Sequence, residues 1–206
     1  YIERHEHMDV RSTPGSYEFV TVVSGLPRSG TSMLMQMLVA GGLQTQTDGV
    51  READEDNLNG YYEFESVKQL RYDHSWLADA KGKAVKVISE LLKELPSSYS
   101  YKIIFIRRRM EEVLASQRQM LVRRGQTGVV SSDDDEEISR IFQHHLSVTE
   151  QWLSSQANME VLYVDHADIL NDPLVNARQI TEFLGLPLNI GKMAEVVDDS
   201  LYRQRS

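Results

Sequence analysis

The residues best equipped for chemistry on an anion lie between Phe19 and Leu38, in the stretch FVTVVSGLPRSGTSMLMQML. A β-branched apolar run, a Gly/Pro/Ser turn and a second apolar run follow one another, which is the strand, loop and helix grammar of a phosphate-binding loop. Gly25, four intervening residues, Gly30, Thr31 and Ser32 match the spacing of a nucleotide-triphosphate loop, except that Thr31 stands where the lysine belongs. Such a turn at a helix N-terminus offers phosphate several backbone N–H groups and the positive end of the helix dipole. Gly25 and Gly30 permit close backbone approaches that a side chain would obstruct. The cation of the loop is then Arg28.

A second set of cations follows the most apolar run in the chain, Lys102 to Ile106 (KIIFI), which leads straight into Arg107, Arg108 and Arg109. In an ATP-using enzyme the loop Ser or Thr and an acidic residue after a second strand hold magnesium. Here that strand ends in arginine. Both departures point toward an anion neutralised by protein cations alone, with no metal required. The formal charge of -9 argues against nucleic acid as a partner. The clustered arginines therefore read as a small basic island for a compact multi-anionic ligand, with Arg118, Arg123 and Arg124 as solvated helix residues.

Positioning these groups requires a framework, and 206 residues suffice for a single domain with one substantial core, preceded by an arm over residues 1–17. Strands are expected at Phe19–Val23, Ala84–Ile88, Lys102–Ile106 and Glu160–Val164. Helices are expected at Thr31–Ala40, Phe64–Leu77, Glu90–Leu95, Met110–Arg123, Glu136–Ser155, Pro173–Leu184 and Ile190–Val197. Their alternation predicts an α/β, three-layer P-loop-type fold with a central parallel sheet flanked by helices and ligands at the carboxyl ends of the strands. Gln44 to Asn59 is polar and acidic without periodicity, as in a long surface loop. The absence of cysteine excludes disulfides and thiolate chemistry and is compatible with a cytoplasmic protein. No apolar run approaches the roughly 20 residues needed to cross a bilayer, and residues 1–17 are too polar for a signal peptide. His5 and His7 lack a third metal ligand. Asp133 to Glu137 suits the first turn of a helix. Asp165, His166 and Asp168 invite a triad reading, but the chain has no nucleophile elbow, and Asp168 reads as a helix cap.

Taken together, LPRSGTS at Leu26 to Ser32 and the pair Arg108 and Ser116 resemble the sulfotransferases that use 3'-phosphoadenosine 5'-phosphosulfate (PAPS). In that family an arginine after a strand and a serine eight residues later hold the 3'-phosphate. FLGLPL at Phe183 to Leu188, the terminal DDSLYRQR and GYYEFE at Gly60 to Glu65 are similar to a bacterial-type branch. The resemblance implies that Arg28, Ser29, Gly30, Thr31 and Ser32 bind the 5'-phosphosulfate, with Arg28 where cytosolic relatives have a catalytic lysine, and that PAPS is the co-substrate.

The resemblance also marks departures. AVKVISELLKELP at Ala84 to Pro96 is similar to the family's lysine-containing strand, which makes Lys86 a candidate to assist the sulfonate. In cytosolic relatives a histidine two residues later deprotonates the acceptor, and this chain has Ile88 there. Glu63 is the lead candidate for the base, ahead of Glu65, His74 and Asp48. Met33 replaces an aromatic that stacks on adenine in cytosolic relatives. Arg203 and Arg205 are candidates to close over the donor, and Tyr61, Tyr62, Phe64 and Trp76 to line an apolar acceptor site, with core packing as the alternative. The reading is an enzyme moving a sulfonate from PAPS to a hydroxyl or amine of a small-molecule, glycan or peptide acceptor. The alternatives are a non-catalytic nucleotide-binding module and a P-loop nucleotide or sulfate-activating kinase. Oligomeric state is not encoded in these patterns.

Overall fold

The computed structural model describes residues 17–48, 62–123 and 132–197. Four strands, β1 (Phe19–Gly25), β2 (Ala84–Lys86), β3 (Ser100–Arg107) and β4 (Met159–Asp165), form one sheet in the order β2-β1-β3-β4. Every pairing is parallel, with Thr21 opposite Ala84, Gly25 opposite Ile106 and Arg107 opposite Asp165. A parallel sheet must be covered on both faces, so its strands read as near-continuous apolar runs. Val20, Val22 and Val23 of β1 and Ile103 to Phe105 of β3 are fully buried.

Helices α1 (Thr31–Ala40), α4 (His166–Asn171), α5 (Pro173–Leu184) and α6 (Ile190–Glu195) contribute to the core on one face. The other face packs on turns between residues 64 and 95 and on α3 (Ser132–Ser154). Helix α2 (Met110–Arg123) follows β3 directly. The connection leaving β1 thus goes to one face and that leaving β3 to the other. Their carboxyl ends flank the topological switch point, where a crevice opens for ligands.

Local chemistry sets the boundaries. Asp172 caps α5 by accepting from the Val175 N–H (3.1 Å), Pro173 opens the helix, and Gly185 closes it at φ 67°. Lys102 Nζ donates to the carbonyls of Phe183 (2.8 Å) and Leu184 (3.3 Å), placing a cation at the negative end of α5.

Several expectations change. The helix expected over Phe64–Leu77 is replaced by two 3-10 turns, Glu65–Gln69 and Ser75–Leu77. The Asp73 carboxylate accepts from the Ser75 N–H (2.9 Å), a local bond that competes with helix propagation. The stretch expected near Glu90–Leu95 is a 3-10 helix over Ser89–Glu94, and β2 stops at Lys86. Helix α3 begins at Ser132, four residues before the expected start at Glu136. Helix α4 was not anticipated, because it continues from β4 without a break, and Asp168 lies in its first turn while Asp165 is the cap residue. Among the described residues no helix is long and apolar enough to cross a membrane.

Strand β3 is one of the two internal strands, and Ile104 is fully buried in it. Ile104→Ala should cost about 2–5 kcal/mol of unfolding free energy in a urea titration; a loss below about 1 kcal/mol would show that this core can close over the cavity.

Candidate active site

The loop after β1 is built to leave backbone donors open. Gly30, at φ 108°, caps α1 without a side chain, and the first helical bond runs from the Leu34 N–H to the Gly30 carbonyl (3.2 Å). The N–H groups of the first turn therefore have no acceptor within the helix. Ser29, 1% exposed, donates its hydroxyl to the Leu26 carbonyl (2.7 Å) and fastens the turn from inside. At Gly25 a Cβ would lie 2.6 Å from both the Ile106 carbonyl and Ser29 Oγ, so only glycine fits where the loop leaves the sheet.

Arg28 adopts φ 69°, a left-handed conformation that costs a non-glycine residue of order 1–2 kcal/mol. Surrounding contacts hold it there. Arg28 Nε donates to Ser116 Oγ (2.9 Å), and Arg108 Nη1 donates to the Arg28 carbonyl (3.0 Å). Arg108 Nε in turn donates to Glu112 Oε2 (3.0 Å), with side chains only 7% and 3% exposed. Arg28, Arg108 and Ser116, separated by up to 88 positions, thus form one connected cluster at the carboxyl ends of β1 and β3. Glu112 was not singled out from the sequence; it lies in the first turn of α2, one turn before Ser116, and reaches back to Arg108 just ahead of the helix.

The neighbouring arginines do other work. Arg107 makes two bonds to the Glu150 carboxylate (2.9 and 2.8 Å) and lies 4.1 Å from the Tyr163 ring centroid, which fastens β3 to α3 and β4. Arg109 is exposed near Glu111 and Glu112. Arg118 pairs with Asp135 of α3, so it is not simply solvated. The basic island is therefore narrower than the run of arginines implies, because carboxylates claim most of its members.

The remaining candidates are distributed around this cluster. Lys86 closes β2 opposite Val23, on the strand beside the loop-bearing β1. Glu63 is half-buried, and its carbonyl accepts from Thr47 Oγ1 (2.9 Å) and from the Asp48 N–H (3.4 Å). Tyr62, just before it, sits at φ 50°, and burial holds its phenol above the usual pKa. Asp48 binds the Glu65 N–H (2.7 Å), and Glu65 pairs with Lys68, so both have structural tasks. His74 is the cap residue of the Ser75–Leu77 turn. Phe64, half-buried, meets the buried Trp76 edge-on at 5.1 Å and packs against the core on this face, the core-packing alternative for that pair. Tyr61, Arg124, Arg203 and Arg205 lie outside the described residues.

Sequence patterns did not reveal His145, whose Nε2 lies 2.9 Å from Ser89 Oγ just beyond Ile88, nor that His166, read from the sequence only as part of a weak triad pattern, packs against Gly30. A cavity of about 450 Å3 opens between α2 and α3, lined by Glu111, Arg118, Asp135 and Arg140 among others, and shares no residue with the loop. Among the described residues no cluster of His, Asp or Glu could hold a metal ion.

Removing one partner of the Arg108–Glu112 pair leaves a buried charge uncompensated. Glu112→Ala and the isosteric but neutral Glu112→Gln should each cost about 3–5 kcal/mol of stability, as read from denaturant midpoints, because both remove the carboxylate that compensates the Arg108 charge. A much smaller loss for Glu112→Gln would mean that shape, rather than the ion pair, fixes Arg108.

Comparison with known proteins identifies the family and the fold. The family model for the sulfotransferase domain matches residues 20–205. Among solved structures, mouse sulfotransferase SULT7A1 complexed with PAP is similar at 18% identity and a TM-score of 0.54, covering 92% of this chain and 68% of that one. The sulfotransferase domain from the curacin biosynthetic pathway gives 12% identity and a TM-score of 0.55, over 87% of this chain and 78% of that one. A sulfotransferase from Alicyclobacillus acidocaldarius gives 16% identity and 0.51, over 82% and 81%. At these identities the likeness is one of fold. No curated protein matches the sequence. With almost its whole length covered by the family model, the chain belongs to the sulfotransferase domain family.

Proposed function

We propose that this chain, as one domain, transfers a sulfonate group from PAPS to a hydroxyl or amine of an acceptor. The observation that carries the reading is the direct linkage of Arg28, Ser116 and Arg108, since it joins the two groups of residues that would hold the two ends of one doubly anionic nucleotide. The loop from Arg28 to Ser32 would hold the 5'-phosphosulfate through the Arg28 side chain and the N–H groups of Gly30, Thr31 and Ser32, with Ser29 shaping the turn by giving its own N–H to the Leu26 carbonyl (3.2 Å). Arg108 and Ser116 would hold the 3'-phosphate. The hydroxyl of Ser116, while accepting from Arg28, keeps its own O–H to donate to a phosphate oxygen. Arg28, held at Nε by Ser116, would present its planar guanidinium to the anion. The solved complex of SULT7A1 with PAP supports a nucleotide of this kind.

The transfer forms a bond from the acceptor oxygen or nitrogen to sulfur and breaks the bond from sulfur to the 5'-phosphate oxygen. The electron pair leaves on 3'-phosphoadenosine 5'-phosphate (PAP), and the acceptor proton passes to a base. Charge builds on the departing phosphate oxygen, which Arg28 and the loop amides are suited to stabilise. Glu63, beside the strained Tyr62, is the proposed base, and Lys86 the proposed second cation for the sulfonate.

Ile88, at the place of a histidine in cytosolic relatives, favours one second reading, a module that binds the nucleotide without transfer. Labelled sulfate from PAPS, offered to alcohols, phenols, sugars, amines and peptides, separates the two. Transfer to any of them supports the enzyme, whereas tight PAP binding with no transfer across the panel supports the module. In the transfer assay Arg28→Ala should lower kcat about 100-fold, the scale of one oxyanion-stabilising donor, while PAP affinity falls far less. Unchanged turnover at saturating donor would remove Arg28 from the mechanism.

A further inference from the structure

The loop has a third support besides Ser29 and Arg108, and it comes from the far side of β3. A Cβ built on Gly30 would lie 2.5 Å from His166 Cδ2, 3.3 Å from His166 Nε2 and 3.0 Å from Ile106 Cδ1. Gly30 is thus seated in a slot between an imidazole edge and the last buried side chain of β3. His166 is 5% exposed and follows Asp165, which stands opposite Arg107 in the parallel register. Since β4 is separated from β1 by β3, the ring reaches under the loop from two strands away. Arg108, one residue past the end of β3, holds the Arg28 carbonyl, and His166, one residue past the end of β4, abuts Gly30. The two strand ends therefore grip adjacent parts of the same turn.

We propose that His166 is a positioning residue for anion binding. Its ring edge keeps Gly30 at φ 108° and so fixes the direction of the N–H groups that open α1. The ring acts by contact and shape, without touching the ligand. An aliphatic side chain would leave part of the slot empty, whereas a planar ring fills it and leaves no room for a side chain at position 30. The inference depends on the reading above only for the identity of the anion.

The test is a double-mutant cycle on Gly30→Ala and His166→Ala, with binding of PAP and of inorganic pyrophosphate measured by calorimetry and folding checked by thermal melting. His166→Ala should weaken binding of both probes about 10-fold, and His166→Phe, which retains a planar ring edge, should restore most of it. Gly30→Ala should weaken binding about 100-fold, and the double variant should bind at least about 5-fold more tightly than Gly30→Ala alone, because relieving the clash offsets part of the loss. If His166→Ala does not fold, His166→Asn takes its place in the same cycle. Losses that multiply independently, or His166→Ala with unchanged binding, overturn the proposal. If pyrophosphate binds and PAP binds no better than pyrophosphate, the donor reading fails while the cycle on pyrophosphate still decides the role of His166. If neither probe binds the unsubstituted protein, both fail.

Discussion

The contact on which the site depends is the hydrogen bond from Arg108 to the backbone carbonyl of Arg28. A left-handed arginine is costly in isolation, and it persists where neighbours over-determine it. Here the loop residue is held at its carbonyl by Arg108 and at its guanidinium by Ser116. Arg108 can serve because Glu112, almost fully buried, fixes its other edge. The chain of contacts runs from the start of α2 through a buried ion pair to the one cation in the glycine-rich turn. The parallel sheet makes this possible by placing Gly25 opposite Ile106, so that both segments leave the sheet at the same level.

The arrangement explains how a protein with a net charge of -9 can present a site for a multi-anionic ligand. Positive charge is not spread over a surface. Arg107 is committed to Glu150 and the Tyr163 ring and Arg118 to Asp135, whereas Arg108, paired with Glu112, and Arg28 stand beside the loop amides at the switch point. Partly buried cations and oriented N–H groups act there in a lower dielectric than water, so few are needed.

Much of this was legible in the sequence where the signal is local. The apolar run before Gly25, the glycine spacing, KIIFI and the Asp172–Pro173 helix start all encode their structures within a few residues. Arg108 and Ser116 were legible through the resemblance of their eight-residue spacing to a family motif, whereas Glu112, which lies between them in α2, was not singled out. What was not legible depends on non-local geometry or on close competition. The segment from Phe64 to Leu77 has a helical apolar pattern, yet Asp73 captures a backbone N–H and the chain breaks into 3-10 turns. His166 next to Gly30 depends on strand order and register, which no spacing in the chain specifies. Trp76 and Phe64 read equally well in the sequence as ligand contacts or core, and the structure buries Trp76 with Phe64 packed edge-on against it.

The central claim is that one nucleotide with phosphate groups at both ends spans the loop and the Arg108–Ser116 pair without a metal. Titrating PAP and AMP into the protein in the presence of a chelator tests it most directly, because the two ligands differ only in the 3'-phosphate. The account predicts that PAP binds about 100-fold more tightly than AMP, the scale of a charge-assisted, bidentate phosphate contact. Equal affinities, or binding that appears only when magnesium is restored, would contradict it.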